Sequence, residues 1–300
     1  LIKDINEFGK VINTAIKYSD SGKLVTFGVI PEKAETGYGY IEASNILNKK
    51  KIKGEKIVRF IEKPNKKLAE QLISNQKFSW NSGIFLFDAN VYIDEVIKRC
   101  PHIYKNCKES ISRQVLDLDF QRIEKKSFSQ CNDISIDKAI MEKTDLGVVL
   151  PINVGWSDIG SWESMWEESD KDMSGNFISG NVITDNVRNS YIRSEDRLLV
   201  TIGIDDLIIV DTSDALLIVK KDQTQKVKEI VKGLISKNMS EAVTHKTVYR
   251  PWGSYDSISD GNNWQVKKII VKPGHSLSLQ MHNKRTEHWV IVDGTAYVEI

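Results

Sequence analysis

The feature that most constrains this chain is the stretch 24–30, Leu-Val-Thr-Phe-Gly-Val-Ile, a nearly continuous apolar run closed by Pro31. A strand with alternating residue types can leave one face in water, whereas a run without alternation must be covered on both faces. Ahead of it, Asp4 followed by Glu7 reads as a helix-start box, and Ile5, Phe8, Ile12, Ala15 and Ile16 keep helical spacing. A helix leading into a doubly buried strand is the rhythm of an α/β sheet. Residues 57–61, 83–87 and 147–152 repeat the strand signal, and 89–99 and 135–143 the helical one. A mixed α/β domain is therefore expected over residues 1–168.

Beyond residue 175 the pattern shortens. β-rich pieces at 181–184, 190–193, 198–202, 207–210 and 215–219 are separated by turn residues such as Asp205-Asp206 and Ser213-Asp214. Such close spacing predicts a small all-β unit, a short β-helix. Val227, Ile230, Val231, Leu234 and Ile235 then share one helical face, and the polar stretch 236–247 reads as a linker. We expect residues 169–240 to form this extension with its terminal helix. Residues 241–300 form a third region, with strand-like runs at 264–271 and 289–300. The chain opens on Leu1 rather than Met and stops within a strand-like alternation, so a piece of a longer protein is expected.

Composition excludes several function classes. Lys plus Arg number 42 against 41 Asp plus Glu, a net charge of +1, which gives no attraction for nucleic acid or an anionic membrane. No apolar run approaches the ~20 residues that a membrane helix needs. Cys100, Cys107 and Cys131 are an odd count with no close metal-type pair, so a reducing cytoplasm is expected.

Four segments offer polar groups at strand ends. In Glu35-Thr36-Gly37-Tyr38-Gly39-Tyr40-Ile41 two glycines flank an aromatic, either as a turn or as a loop whose backbone approaches a sugar or phosphate closely. In Phe60-Ile61-Glu62-Lys63-Pro64, Glu62 could accept from sugar hydroxyls and Lys63 could hold a phosphate; an exposed charged pair is the bland alternative. Trp80-Asn81-Ser82-Gly83-Ile84-Phe85 places Asn81, donor and acceptor at once, in what reads as a turn before a strand. In Gly155-Trp156-Ser157-Asp158-Ile159-Gly160-Ser161-Trp162, Asp158 between glycines suits either Mg2+ or an Asx-turn.

Taken in order, and with Ser135-Ile136-Asp137-Lys138-Ala139-Ile140-Met141-Glu142-Lys143, these motifs resemble the sugar-nucleotidyltransferase fold, a Rossmann-like mixed sheet. More narrowly they resemble mannose-1-phosphate guanylyltransferases, and residues 176–220 look like that family's β-helical extension. The resemblance implies attack of mannose 1-phosphate on the α-phosphorus of GTP, giving GDP-mannose and pyrophosphate. It implies Asp158 as a Mg2+ ligand and Lys63 on the sugar phosphate. It implies that Glu35, Thr36, Gly37, Tyr38, Gly39, Glu62, Asn81, Ser82 and Gly83 bind the substrate, with Asp137, Glu142 and Lys143 in support. The family's Gly-rich nucleotide loop has no counterpart in this chain and would lie before Leu1, so no residue here is assigned to the guanine base.

The last region carries a second resemblance. Gly274, Gln280, His282, Glu287 and Gly294 fall at the offsets of the first cupin motif, with Gln280 where His is commoner. With Arg285, His288 and Trp289, this looks like the start of the cupin barrel of bifunctional mannose-6-phosphate isomerases, in which Gln280, His282 and Glu287 would hold a divalent metal, Zn2+ or similar. The implied second substrate is mannose 6-phosphate. Two rivals stand beside this reading: another sugar-1-phosphate nucleotidyltransferase, and a catalytically dead sugar-binding or regulatory homologue. An exposed edge of the β-helix would invite a homodimer.

Overall fold

The computed structural model describes the chain except residues 49, 50, 118, 119, 244, 278–282, 285 and 300. It divides into two units, Leu1–Gly233 and Leu234–Ile300.

The first unit begins with α1 (Ile5–Asp20), capped by Asp4, whose carboxylate accepts from the Glu7 N–H at 2.8 Å. Its buried stripe is Val11 and Ala15, with Phe8 and Ile12 packed beside them. Ile5 and Ile16, expected on that face, are exposed, because the stripe runs through Val11 rather than along their edge of the helix. The elements that follow are β1 (Leu24–Val29), β2 (Tyr40–Ala43), β3 (Glu55–Ile61), α2 (Lys66–Ile73), β4 (Phe78–Leu86), α3 (Ala89–Arg99) and α4 (Pro101–Ser112). Then come β5 (Val115–Asp117), β6 (Phe120–Arg122), α5 (Lys125–Phe128), β7 (Gly147–Ile152) and α6 (Trp162–Glu168). Helix α2 turns Leu68, Ala69, Leu72 and Ile73 to the core, and both α2 and α4 carry start signals, the Asn65 side chain accepting from Leu68 N–H at 2.9 Å and Pro101 in the first turn.

The sheet is mixed. β1 runs parallel to β7 and antiparallel to β4; β4 pairs with β2, β2 with β3, and β3 with β7, so the pairings close into a ring. Every residue of β1 and β7 is buried, as the unbroken run at 24–30 requires. Their side chains divide between two cores. Val25, Phe27, Val29, Val148, Leu150 and Ile152 join Val11 and Ala15 of α1, whereas Leu24 and Val149 face Ile41, Ile140 and Met141. The register opposes Val29 to both Ile152 and Trp80, and Tyr40 to both Trp80 and Ile61. The chain leaving β1, β3 and β7 therefore arrives at the same edge as the middle of β4.

Two local expectations are corrected. Residues 80–83 lie inside the nine-residue strand β4 rather than in a turn before a strand. The register shift opposite Thr26 and Gly28, and Gly83 at φ +69°, give this stretch its turn-like composition; the Ser82 hydroxyl closes the irregularity by donating to Phe27 O at 2.7 Å. The helical signal at 135–143 is a π-helix, Asp137–Met141, in which Glu142 N–H donates to Asp137 O at 2.8 Å.

The all-β expectation after residue 175 is met by β8 (Phe177–Ser179), β9 (Val182–Asp185), β10 (Tyr191–Ser194), β11 (Leu199–Ile202), β12 (Leu207–Asp211) and β13 (Leu216–Lys220). β8, β10 and β12 stack in parallel with β13 antiparallel at the end, while β9 and β11 form a second parallel pair. Ile192 and Ile209 fill the space toward Val182 and Leu199; Tyr191, Ile208 and Val210 pack on Trp162, Met165 and Trp166 of α6. These are the coils of a short β-helix, followed by α7 (Val227–Ser236).

In the second unit β14 (Thr247–Arg250), β15 (Gly253–Gly261) and β16 (Trp264–Val271) form an antiparallel meander. The strand expected at 289–300 is not formed over its described residues, since a strand exists only by pairing and none of the described strands pairs with it. Among the described residues no helix is long and apolar enough to cross a membrane.

Leu150, fully buried at the centre of β7, supports the first of the two cores. Leu150→Ala is expected to destabilise the first unit by about 2–5 kcal/mol, read as a lower midpoint in chemical denaturation.

Candidate functional site

The segment between β1 and β2, residues 30–39, crosses the edge where the strand ends converge, and its last residues touch two groups of side chains. On one side lies Gly39. A Cβ there would sit 3.0 Å from Glu62 Oε2 and 3.6 Å from Asn81 Cβ, so the missing side chain is what lets the loop close on both. Asn81 N–H donates to Gly39 O at 2.8 Å. The Asn81 amide donates from Nδ2 to Asp137 Oδ1 at 2.9 Å and accepts at Oδ1 from Gly83 N–H at 3.2 Å, which fixes the orientation of the amide. Lys63 follows β3 with φ +43° and pairs with Glu62 Oε1 at 2.9 Å. Both side chains are largely exposed, so the pair contributes little to stability, and either charge can turn to a ligand at small cost.

On the other side lies Tyr38. Its ring makes T-shaped contacts with Trp80 and Trp156, with centroids 5.2 Å and 5.5 Å away at 75° and 68°. Its hydroxyl donates to Asp158 Oδ1 at 3.1 Å, and the Gly160 N–H donates to the same oxygen at 2.9 Å. Burial, with the neighbouring Asp158 carboxylate adding to it, pushes the Tyr38 phenol well above its ordinary value, so it remains a donor. Asp158 itself is exposed on the loop after β7, and Ile159 beside it is held at φ +47°, a strained conformation for a β-branched residue. A Cβ on residue 160 would overlap Asp158 Oδ2, so Gly160 leaves the space into which the carboxylate folds.

The remaining sequence-predicted residues fall at different distances from this cluster. Glu35 shapes the loop: Oε1 accepts from Gly37 N–H at 3.1 Å, and its backbone exchanges hydrogen bonds with the buried Tyr40 hydroxyl. Thr36 and Gly37 are exposed at the loop's tip. Lys33 nearby bonds Glu167 at 3.1 Å; burial alone would lower its pKa, but Glu167 and then Glu35 raise it overall. Ser82 gives its hydroxyl proton to the sheet. Glu142 and Lys143 are exposed beyond the π-helix, and neither side chain has an ion pair among the described residues. Gln280 and His282 lie outside the described residues; Glu287 is exposed and accepts from Trp289 Nε1 at 3.1 Å.

This arrangement is suited to a ligand rich in hydroxyls at the Gly39 side and to an anion with its counter-ion at the mouth. Among the described residues no group of three or more His, Cys, Asp or Glu could hold a metal alone. A single oxygen carboxylate, Asp158, does fit the way Mg2+ is bound when phosphates and water complete its shell. Sequence reasoning missed the two indoles that hold Tyr38 and the part played by Gly160. The signal was present, since Trp80, Trp156 and Gly160 all lie inside motifs singled out for other residues.

Family models match along the chain: Nucleotidyl transferase over residues 1–175, MannoseP isomerase/GMP-like beta-helix domain over 180–234, and Mannose-6-phosphate isomerase C-terminal over 237–300. A mannose-1-phosphate guanylyltransferase of Salmonella montevideo is 47% identical over the whole chain and 64% of its own length. One from Escherichia coli K12 is 42% identical over the whole chain and 63% of its length. The alginate biosynthesis protein AlgA of Pseudomonas syringae pv. tomato is 42% identical over 99% of the chain and 62% of its length. The chain thus spans less than two thirds of these relatives. Among solved structures, a mannose-1-phosphate geranyltransferase from Thermus thermophilus superposes with a TM-score of 0.65, at 22% identity, over 78% of this chain and 67% of that one, a likeness of fold.

Gly160→Ala tests the geometry directly. The added Cβ is expected to expel the Asp158 carboxylate from its fold-back position and to break its bond to Tyr38, while β1 and β7 stay paired. A crystal structure of the variant checks both.

Proposed function

The chain belongs to the nucleotidyl transferase family, and from that premise we propose that it is the guanylyltransferase part of an enzyme making GDP-mannose from mannose 1-phosphate and GTP for polysaccharide synthesis. A phosphate oxygen of mannose 1-phosphate forms a bond to the α-phosphorus of GTP, and the bond from that phosphorus to the β-phosphate breaks, releasing pyrophosphate. The observation that carries this reading is the single loop whose neighbouring residues, Tyr38 and Gly39, touch Asp158 on one side and Glu62 and Asn81 on the other.

Glu62 and Asn81 bind the mannose hydroxyls, with the Gly37 and Gly39 backbone alongside and Asp137 holding the Asn81 amide in place. Lys63 neutralises the sugar phosphate by turning away from Glu62. Such transfer needs positioning and charge neutralisation more than a protein nucleophile. Asp158 would hold Mg2+, which supplies charge compensation to the phosphates when bound. Glu35, Thr36, Ser82, Gly83, Glu142 and Lys143 support these residues from the surrounding loops.

The second unit we assign to a mannose-6-phosphate isomerase barrel that takes its divalent metal from Gln280, His282 and Glu287. Functional boundaries fall near residues 168 and 240. The three free cysteines support a reducing cytoplasm, and the exposed Ile183, Val200 and Ile202 of β9 and β11 support a homodimer.

Two variants test the transferase reading. Asp158→Asn keeps the shape and removes the charge, so turnover should drop far more than sugar binding; near-normal turnover at low Mg2+ refutes the assignment. Lys63→Ala should raise KM for mannose 1-phosphate more than KM for GTP; equal effects place Lys63 outside the sugar-phosphate site.

A further inference from the structure

We infer that Tyr38 is a positioning residue for Asp158, fixing through its hydroxyl which carboxylate oxygen is presented to a divalent cation. The inference rests on the proposed role of Asp158 and assigns Tyr38 a task other than contact with substrate.

Three observations carry it. The phenol is held by packing: its ring makes T-shaped contacts with both Trp80 and Trp156, and Trp80 is itself buried within β4. Its hydroxyl reaches Asp158 across 120 residues of sequence, a contact that local chain geometry does not impose. And the two donors on Asp158, Tyr38 Oη and Gly160 N–H, converge on one oxygen, Oδ1, rather than being shared with Oδ2. A carboxylate with one oxygen engaged twice presents the other in a defined direction, which is how outer partners orient a metal ligand.

The test uses the full-length protein with Tyr38→Phe, which keeps the ring between the two indoles and removes only the hydroxyl. Three quantities are measured: the Mg2+ concentration that half-saturates GDP-mannose formation, Mn2+ affinity without turnover by electron paramagnetic resonance with GDP-mannose bound, and KM for mannose 1-phosphate. Loss of an orienting partner should weaken metal binding about tenfold in both metal readouts, with KM for the sugar phosphate within about twofold. A purely structural hydroxyl would lower the denaturation midpoint and leave both metal readouts unchanged, and that result overturns the inference. A KM that rises as much as the metal constants overturns it too, making Tyr38 a substrate contact. Asp158→Asn, run in parallel, separates the two levels of argument. If it loses Mn2+ while Tyr38→Phe binds as wild type, only the role of Tyr38 is refuted; if Asp158→Asn also binds as wild type, the Mg2+ assignment has failed and the inference falls with it. Should Tyr38→Phe fail to fold, the same metal readouts on Trp156→Phe, which loosens the ring without removing the hydroxyl, decide: unchanged constants refute the inference.

Discussion

The parallel pairing of β1 with β7 is the constraint on which the rest of the first unit depends. Six consecutive residue pairs, from Leu24 opposite Gly147 to Val29 opposite Ile152, bring two fully buried strands together in one direction. Parallel strands end on the same side, so the chain leaving each must turn at a common edge. One exit becomes the loop with Tyr38 and Gly39, and the other becomes the loop with Trp156 and Asp158. The antiparallel partners β4, β2 and β3 then deliver Asn81 and Glu62 to that edge through register rather than through proximity in sequence. A slip of one residue in any of these pairings would turn every side chain to the opposite face and disperse the cluster.

Burial and function are divided sharply along these strands. Leu24, Phe27, Leu150 and Ile152 are wholly inside and commit their side chains to the two cores. Within a few residues of a strand end the chain passes to loop positions held in left-handed conformations, the exposed Lys63 at φ +43° and the half-buried Ile159 at φ +47°. Strain of this kind persists only where the flanking structure over-determines the backbone. At Ile159 the buried strand β7 on one side and the hydrogen bonds from Tyr38 and Gly160 to Asp158 on the other supply that determination.

How much of this was legible in sequence depended on how local the signal was. The run at 24–30 announced a doubly buried strand because its lack of alternation has one physical meaning, and the turn-punctuated pieces after residue 175 announced the coils of the β-helix. The Asp4 cap was readable because it acts within one helical turn. Trp80 to Gly83 misled because a strand irregularity and a turn use the same residues; only the opposing strand, with Phe27 accepting from Ser82, decides between them. The Tyr38–Asp158 bond and the Asn81–Asp137 bond were unreadable as pairs, since each joins segments far apart in the chain. Residues 289–299 alternate like a strand, but alternation describes which face would be buried and does not supply the partner that makes a strand.

The π-helix at Asp137–Met141 sets a limit on how this protein can change over generations. A π-turn holds one residue more than an α-turn and is the less favourable of the two. Removing a single residue there would draw the turn toward the tighter α geometry. It would also rotate everything on one side of the deletion by roughly 100° about the helix axis, carrying Asp137 away from the Asn81 amide. A deletion at this turn is therefore expected to cost the pocket more than it costs the fold.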